Sequence, residues 1–133
     1  MEKIQFWKER DKQIMDPALF STMAEKLAIK IAEDNKKNDK QNKPAQLRKF
    51  FDEVVRLDMA SKKRFKDWQS ILPLVHMMTA KAAYASGRKL ISDDFLNFIK
   101  NSVDQVQEQK DLAVFATFFE AFIGFYKMHG PSK

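Results

Sequence analysis

The residues of this sequence that could do chemistry are mainly lysines and arginines in the middle of the chain. Residues 36–91 hold 14 basic and 5 acidic residues, a net charge of +9, whereas the whole chain of 133 residues carries +6. Three groups stand near expected helix ends: Lys43, the run Lys62-Lys63-Arg64, and Arg88-Lys89. Such side chains hold phosphates, because neutralising a phosphate releases its counterions. If loops at one end of a bundle bring the three groups together, the sequence predicts one anion-binding patch.

A charged run can also be no more than a solvated surface. Arg48 and Asp52 stand four residues apart, as do Lys49 and Glu53, and this spacing lets opposite charges pair on a helix. Exposed pairs of this kind contribute little free energy. The density of charge between residues 36 and 91 therefore favours a patch as a whole without deciding for any single lysine.

The sequence offers little for catalysis or metal binding. It has no cysteine and only 3 glycines, which excludes thiolate ligands, a thiol nucleophile and a glycine-rich phosphate loop. We expect His76, flanked by apolar residues, to be a partly buried structural residue. Asp93 and Asp94 follow Ser92 at an expected helix start, where capping explains them better than a metal does. No second acid or base can be assigned to Glu120, so we expect no enzyme, no cofactor and no metal site.

Aromatic residues allow two interpretations each. Trp7, Trp68 and Tyr84 could stack on bases, although aromatic residues at helical spacing more often belong to a core. The last helical stretch carries phenylalanine on most of its sides. A helix of this kind is either central in a bundle or covered by a partner protein, and we favour the central position.

The elements that must position these residues are helices. Apolar residues recur with helical period from residue 17 to residue 129, and no window alternates as a strand would. We expect an all-α fold, a single bundle of five to six helices spanning residues 1–133, with residues 1–16 as a flexible N-terminal arm and residues 34–43 as a polar, mobile loop. Pro73 predicts a kink or break near Ile71-Leu72. With no signal peptide and no apolar stretch of membrane-spanning length, we expect a cytoplasmic protein.

Three segments carry a family resemblance. NKPAQLRKFFDEV (Asn42–Val54), AKAAYASGRK (Ala80–Lys89) and FFEAFIGFYK (Phe118–Lys127) resemble the small subunit of the type III-A CRISPR effector, the Csm complex. The resemblance extends over roughly residues 17–130, and none of the three segments is a catalytic motif.

The resemblance implies a non-catalytic, helical-bundle protein of antiviral defence that contacts the backbone of guide RNA and target RNA without reading sequence. Its implied partners are the other subunits of the Csm complex and copies of itself, stacked in the complex or dimeric when free. Lys43, Arg48 and Arg88 match basic positions of the family, and Lys49 and Lys81 match more weakly. Lys62, Lys63 and Arg64 are candidate RNA contacts from charge alone.

Two other functions remain open from the residues. One is a protein-interaction module that uses the aromatic C-terminal helix and binds no nucleic acid. The other is a helix-turn-helix DNA reader built near Pro44 and Pro73, which would need base contacts in the major groove. Binding to unrelated RNAs as salt rises separates them, because only backbone binding combines equal affinities with a steep salt dependence.

Overall fold

The chain folds into a bundle of helices. A computed structural model describes residues 3–63 and 67–132, and within them the helices are α1 (Ala24–Lys37), α2 (Pro44–Lys63), α3 (Trp68–Gly87), α4 (Asp93–Gln105) and α5 (Gln109–His129). A π-helical turn, Leu19–Met23, leads into α1. These described ranges hold no strand beyond an isolated bridge between Glu9 and Ile14. The expected all-α bundle is confirmed.

Helix α5 lies at the centre of the bundle. It packs against α1, α2 and the π-helical turn, and Phe115, Phe118, Phe119 and Phe122 are fully buried. From α4, the Phe98 ring approaches all four of these rings, with centroid distances of 5.3 to 6.1 Å. These phenylalanines are thus core residues, and the aromatic face that a protein-interaction module would have used is covered by the chain itself.

Side chains cap the helices at several expected starts. The Ser92 hydroxyl accepts a hydrogen bond from the Phe95 backbone N–H at 3.4 Å, as an N-cap should. The Asp16 carboxylate accepts one from the Ala18 N–H at 2.8 Å ahead of the π-helical turn. Capping explains the Ser92-Asp93-Asp94 sequence, and no group of three His, Asp or Glu side chains within the described ranges could hold a metal ion.

Two expected helix boundaries are wrong. Pro73 was expected to kink or break the helix near Ile71-Leu72, and helix α3 runs from Trp68 through Pro73 to Gly87 without a break. Pro73 is close to the helix start, so it deprives only the carbonyl of Gln69 of a donor, and that exposed residue can bond to water instead. Helix α1 continues past Asp34 to Lys37. Among the described helices, none is long and apolar enough to cross a bilayer.

Residues 3–16 lie in the stretch that was expected to form a flexible N-terminal arm, and they pack against the bundle. Phe6 is fully buried and its ring lies 5.9 Å from that of Phe115. The Trp7 indole donates to Asp111 Oδ1 at 2.7 Å, and Arg10 Nη2 lies 3.1 Å from Asp111 Oδ2. Burial alone would raise the pKa of the Asp111 carboxyl, but hydrogen bonds from Trp7, two backbone N–H groups and Arg10 hold it below its usual value. Residues 3–16 are therefore anchored to the start of α5.

The polar segment between α1 and α2 is anchored as well. Asn42 is fully buried, and its side-chain N–H groups donate to the Ile31 carbonyl at 3.2 Å and to the Ser92 hydroxyl at 2.9 Å. Its backbone N–H donates to the Leu90 carbonyl at 2.9 Å, and its own carbonyl accepts from the Tyr126 hydroxyl at 2.6 Å. The expected mobile loop is thus pinned at its end by four parts of the bundle.

Replacing Phe119 with Ala should lower the free energy of unfolding by about 3–5 kcal/mol, because it opens a cavity in the aromatic core. Met128 lies on the same helix but is 71% exposed, and Met128→Ala should change stability by less than about 0.5 kcal/mol. Urea unfolding followed by circular dichroism measures both. A stable, monodisperse Phe119→Ala/Phe122→Ala monomer would contradict this account and mark the face as an interface.

Candidate nucleic-acid interface

Two connections meet at one end of the bundle. Asn42 lies two residues before the start of α2, and Leu90 follows the end of α3. The backbone N–H of Asn42 donates a hydrogen bond to the Leu90 carbonyl. Because this hydrogen bond joins the start of α2 to the end of α3, and the two helices also pack together, they run antiparallel. The start of α2, with Lys43, consequently lies next to the end of α3, with Arg88 and Lys89.

A surface groove runs between these two helices. It has a volume of about 320 Å³. Lys49 and Glu53 of α2 line one side, and Lys81 and Tyr84 of α3 line the other together with Arg88, which directly follows α3. Its floor is apolar, formed by Phe50, Met78, Ala85 and Leu90. We call it the α2–α3 groove. It brings together three of the predicted RNA-binding cations, all exposed.

Glu53 sets how available each cation is. Its carboxylate accepts from Arg56 at 2.8 and 3.1 Å and from Lys81 Nζ at 3.0 Å. The Arg56 hydrogen bonds lower the pKa of Glu53 to about 2, against the effect of burial and with help from Lys81. Lys49, which was expected to pair with Glu53, does not. Neither Lys49 nor Arg88 forms an ion pair with another described residue, so both remain available to an anion.

Arg48 and Lys43 lie beside this groove rather than in it. Arg48 is on the other flank of α2, where it lines a depression of about 270 Å³ with Ile123 and Lys127 of α5. Its guanidinium lies over the Phe51 ring at 5.4 Å and 3.7 Å from the exposed Asp52 carboxylate. The expected Arg48–Asp52 pair therefore forms. Lys43 is exposed at the start of α2.

Lys62 and Lys63 do not join the other basic groups at one end of the bundle, so the expectation of a single patch is wrong for these two residues. Lys62 and Lys63 occupy the last turn of α2, because this helix continues to Lys63 instead of ending earlier. At 1.5 Å per residue, Lys62 lies about 28 Å along the helix from Lys43. Lys62 also pairs with Asp58 at 3.0 Å. Arg64 lies outside the described residues.

The three aromatic residues that could stack on bases differ in their surroundings. The Trp7 indole is hydrogen-bonded to Asp111 and that of Trp68 to the Gln107 carbonyl at 3.0 Å. Tyr84, by contrast, is 69% exposed. His76 is exposed on α3, which corrects the expectation of a partly buried residue.

Sequence reasoning missed Lys127 as a neighbour of Arg48. Only the packing of α5 against the start of α2 brings the two cations to one depression. The available signal was modest: Lys127 ends the segment FFEAFIGFYK and is its only basic residue.

Replacing Glu53 with Gln should destabilise the protein at pH 7 by about 1 kcal/mol, a value kept small by solvent screening of partly exposed pairs. Because the folded-state pKa of about 2 lies below the ordinary 4.5, the ion pairs stabilise fully above pH 4.5 and lose their effect as the pH falls towards 2. The difference between wild type and Glu53→Gln should shrink over that window. Thermal unfolding at pH 7, 4 and 2.5 measures it.

The matched control is Asp52→Asn, which removes the exposed neighbouring carboxylate and its 3.7 Å pair with Arg48. It should change stability by no more than a few tenths of a kcal/mol at any of these pH values. Equal effects of the two substitutions would contradict the role assigned to Glu53.

A comparison with protein families identifies relatives of the chain. A family model described as Csm2 Type III-A matches residues 18–132, a stretch that begins just before the π-helical turn and includes the five helices described above. No curated protein and no solved structure matches the chain significantly.

Proposed function

The chain belongs to the Csm2 Type III-A family, the small subunit of the type III-A CRISPR effector complex, and from this we propose that it is a non-catalytic scaffold that binds RNA backbone without reading sequence. In this proposal guide RNA and target RNA are its nucleic-acid partners. Other subunits of the complex and further copies of the chain are its protein partners. In this proposal the chain binds RNA in the cytoplasm and does not act at a membrane.

The observation that carries the proposal is the α2–α3 groove. Three cations and one carboxylate line it, and that carboxylate is already neutralised by Arg56 and Lys81. Lys49 and Arg88 retain uncompensated charge on opposite walls. A phosphate that enters between them meets a cation on each side and displaces no ion pair.

The chemistry of these groups favours backbone contacts. Ammonium and guanidinium groups on phosphates fix the position of a nucleic acid but carry no base information. Lys43 adds a charge at the start of α2 beside the groove, where the positive end of the helix dipole also favours an anion. Arg48 extends the basic surface to the other flank of α2 with Lys127.

Lys62 and Lys63 form a separate basic group at the far end of α2, and Arg64 follows them directly in the sequence. They are too distant to share a phosphate with Lys43, so in our proposal they contact another stretch of the same RNA. Their contribution should be smaller, because Lys62 is already paired with Asp58. Lys81 should likewise contribute less than Lys49, because Glu53 holds it.

Replacing Lys49 or Arg88 with Ala should weaken the retention of RNA by the assembled complex to the same degree on unrelated sequences. Each change should also lower the slope of log affinity against log salt by about one unit or less, as expected when one phosphate contact is lost. Filter binding at several salt concentrations measures both quantities. Stability should stay within roughly 0.5 kcal/mol of wild type, because both side chains are exposed.

The matched control is Lys12→Ala, which removes an exposed lysine of the N-terminal segment that pairs with Glu9 at 3.5 Å. This variant should retain RNA as wild type does. If the triple variant of Lys43, Lys49 and Arg88 also retained RNA with an unchanged salt slope, the proposed interface would be refuted.

A further inference from the structure

Tyr84 is the least expected feature of the α2–α3 groove. Its side chain is 69% exposed although it stands beside an apolar floor and among cations. The neighbouring groove residues Met78 and Ala85 are buried. Within the described parts of the chain no other aromatic ring stacks on it, and Arg88 is the one cation placed over its face.

Arg88 holds this ring in a defined setting. Its guanidinium carbon lies 5.7 Å from the Tyr84 ring centroid, within the range of a cation–π contact. Its backbone N–H donates to the Tyr84 carbonyl at 3.1 Å, which fixes the two residues relative to each other at the end of α3. The ring and the cation are therefore presented together at the mouth of the groove.

A second arginine–aromatic pair shows what is particular to this one. Arg48 lies over Phe51 at a similar distance of 5.4 Å, but the Phe51 ring packs on Phe119 at 5.6 Å and belongs to the margin of the core. The packing of the bundle explains the position of the Phe51 ring, but it does not explain the position of the exposed Tyr84 ring.

We propose that Tyr84 is a stacking platform for one unpaired base of the bound RNA. This rests on the proposed function, since Lys49 and Arg88 would hold the phosphates on either side of that base. A base has an apolar π-face that the tyrosine ring can cover, whatever the base is. Stacking thus adds affinity without adding sequence specificity.

The dimensions and charge of the groove favour a nucleotide over a peptide. Its volume of about 320 Å³ is at the lower end of the roughly 300–1,000 Å³ typical of small-ligand sites, which suits a single residue of a strand. Three cations and one carboxylate line the two walls around an apolar floor. A base on the floor and ring with phosphates on the rim matches this arrangement of charges.

The test uses the complete effector complex assembled with wild-type or variant chain and target RNAs that carry 2-aminopurine at successive positions. In wild type, at least one position should show quenched fluorescence on binding, and Tyr84→Ala should restore it. Tyr84→Ala should also weaken retention about fivefold or more, in line with the loss of one stacked base. The salt slope should not change, because no phosphate contact is removed.

Two further variants separate stacking from bulk. Tyr84→Phe keeps the ring and should retain both quenching and affinity, whereas Tyr84→Leu keeps an apolar side chain without a ring and should lose both. Met77→Ala, which removes a 52% exposed side chain from the same helix outside the groove, should behave as wild type. Melting temperatures of all variants confirm that each is folded.

The outcomes distinguish the inference from the function on which it rests. If Lys49→Ala weakens RNA retention but Tyr84→Ala does not, the stacking platform is refuted and the phosphate interface stands. A lowered salt slope for Tyr84→Ala would also refute stacking. Loss of co-purification with the other subunits in the absence of target RNA would show instead that Tyr84 contacts a protein.

Discussion

The burial of Asn42 is the constraint on which the geometry of the interface depends. A buried amide must find partners for its donors and acceptor, and this one finds them in the Ile31 carbonyl of α1 and in the hydroxyl and backbone N–H of Ser92, which caps α4. The backbone N–H of Asn42 adds a bond to the Leu90 carbonyl after α3. Its φ of 61° lies in the left-handed region, which asparagine tolerates better than most residues. Tyr126 completes the network from α5, and burial raises its pKa, which keeps the hydroxyl protonated as a donor. The beginning of α2 is thereby fixed beside the end of α3.

The interface depends equally on one carboxylate. Glu53 binds Lys81 across the groove and Arg56 along α2, so two of the nearby cations are held in place and partly neutralised. Lys49 and Arg88 form no ion pair within the described part of the chain, so no carboxylate compensates their charge. If every cation of the groove were unpaired, the cations would repel one another. If every cation were paired with a carboxylate, the groove would not attract a phosphate. The observed arrangement lies between these two states.

Local rules in the sequence were enough for the helices but not for the contacts between them. The 3.6-residue period, Pro44 and the Ser92 cap predicted where helices lie, because these signals act within a few residues. The rule that side chains four residues apart can pair predicted Lys49–Glu53, yet Lys81, 28 residues away, takes that place. Likewise, residues 1–16 were predicted to be a flexible arm and residues 34–43 a mobile loop, because Phe6, Asp111 and Asn42 find their partners only in the folded bundle. Positions that depend on tertiary packing could not be derived from spacing.

The central claim is that RNA phosphates enter the α2–α3 groove, and lysine footprinting of the assembled complex tests it most directly. Reductive methylation, followed by mass spectrometry, reports how accessible each lysine is with and without bound RNA. Our account predicts that Lys49 becomes strongly protected and Lys81 partly protected when RNA is bound, while Lys12 reacts equally in both states. Equal reactivity of Lys49 in the presence and absence of RNA would contradict it.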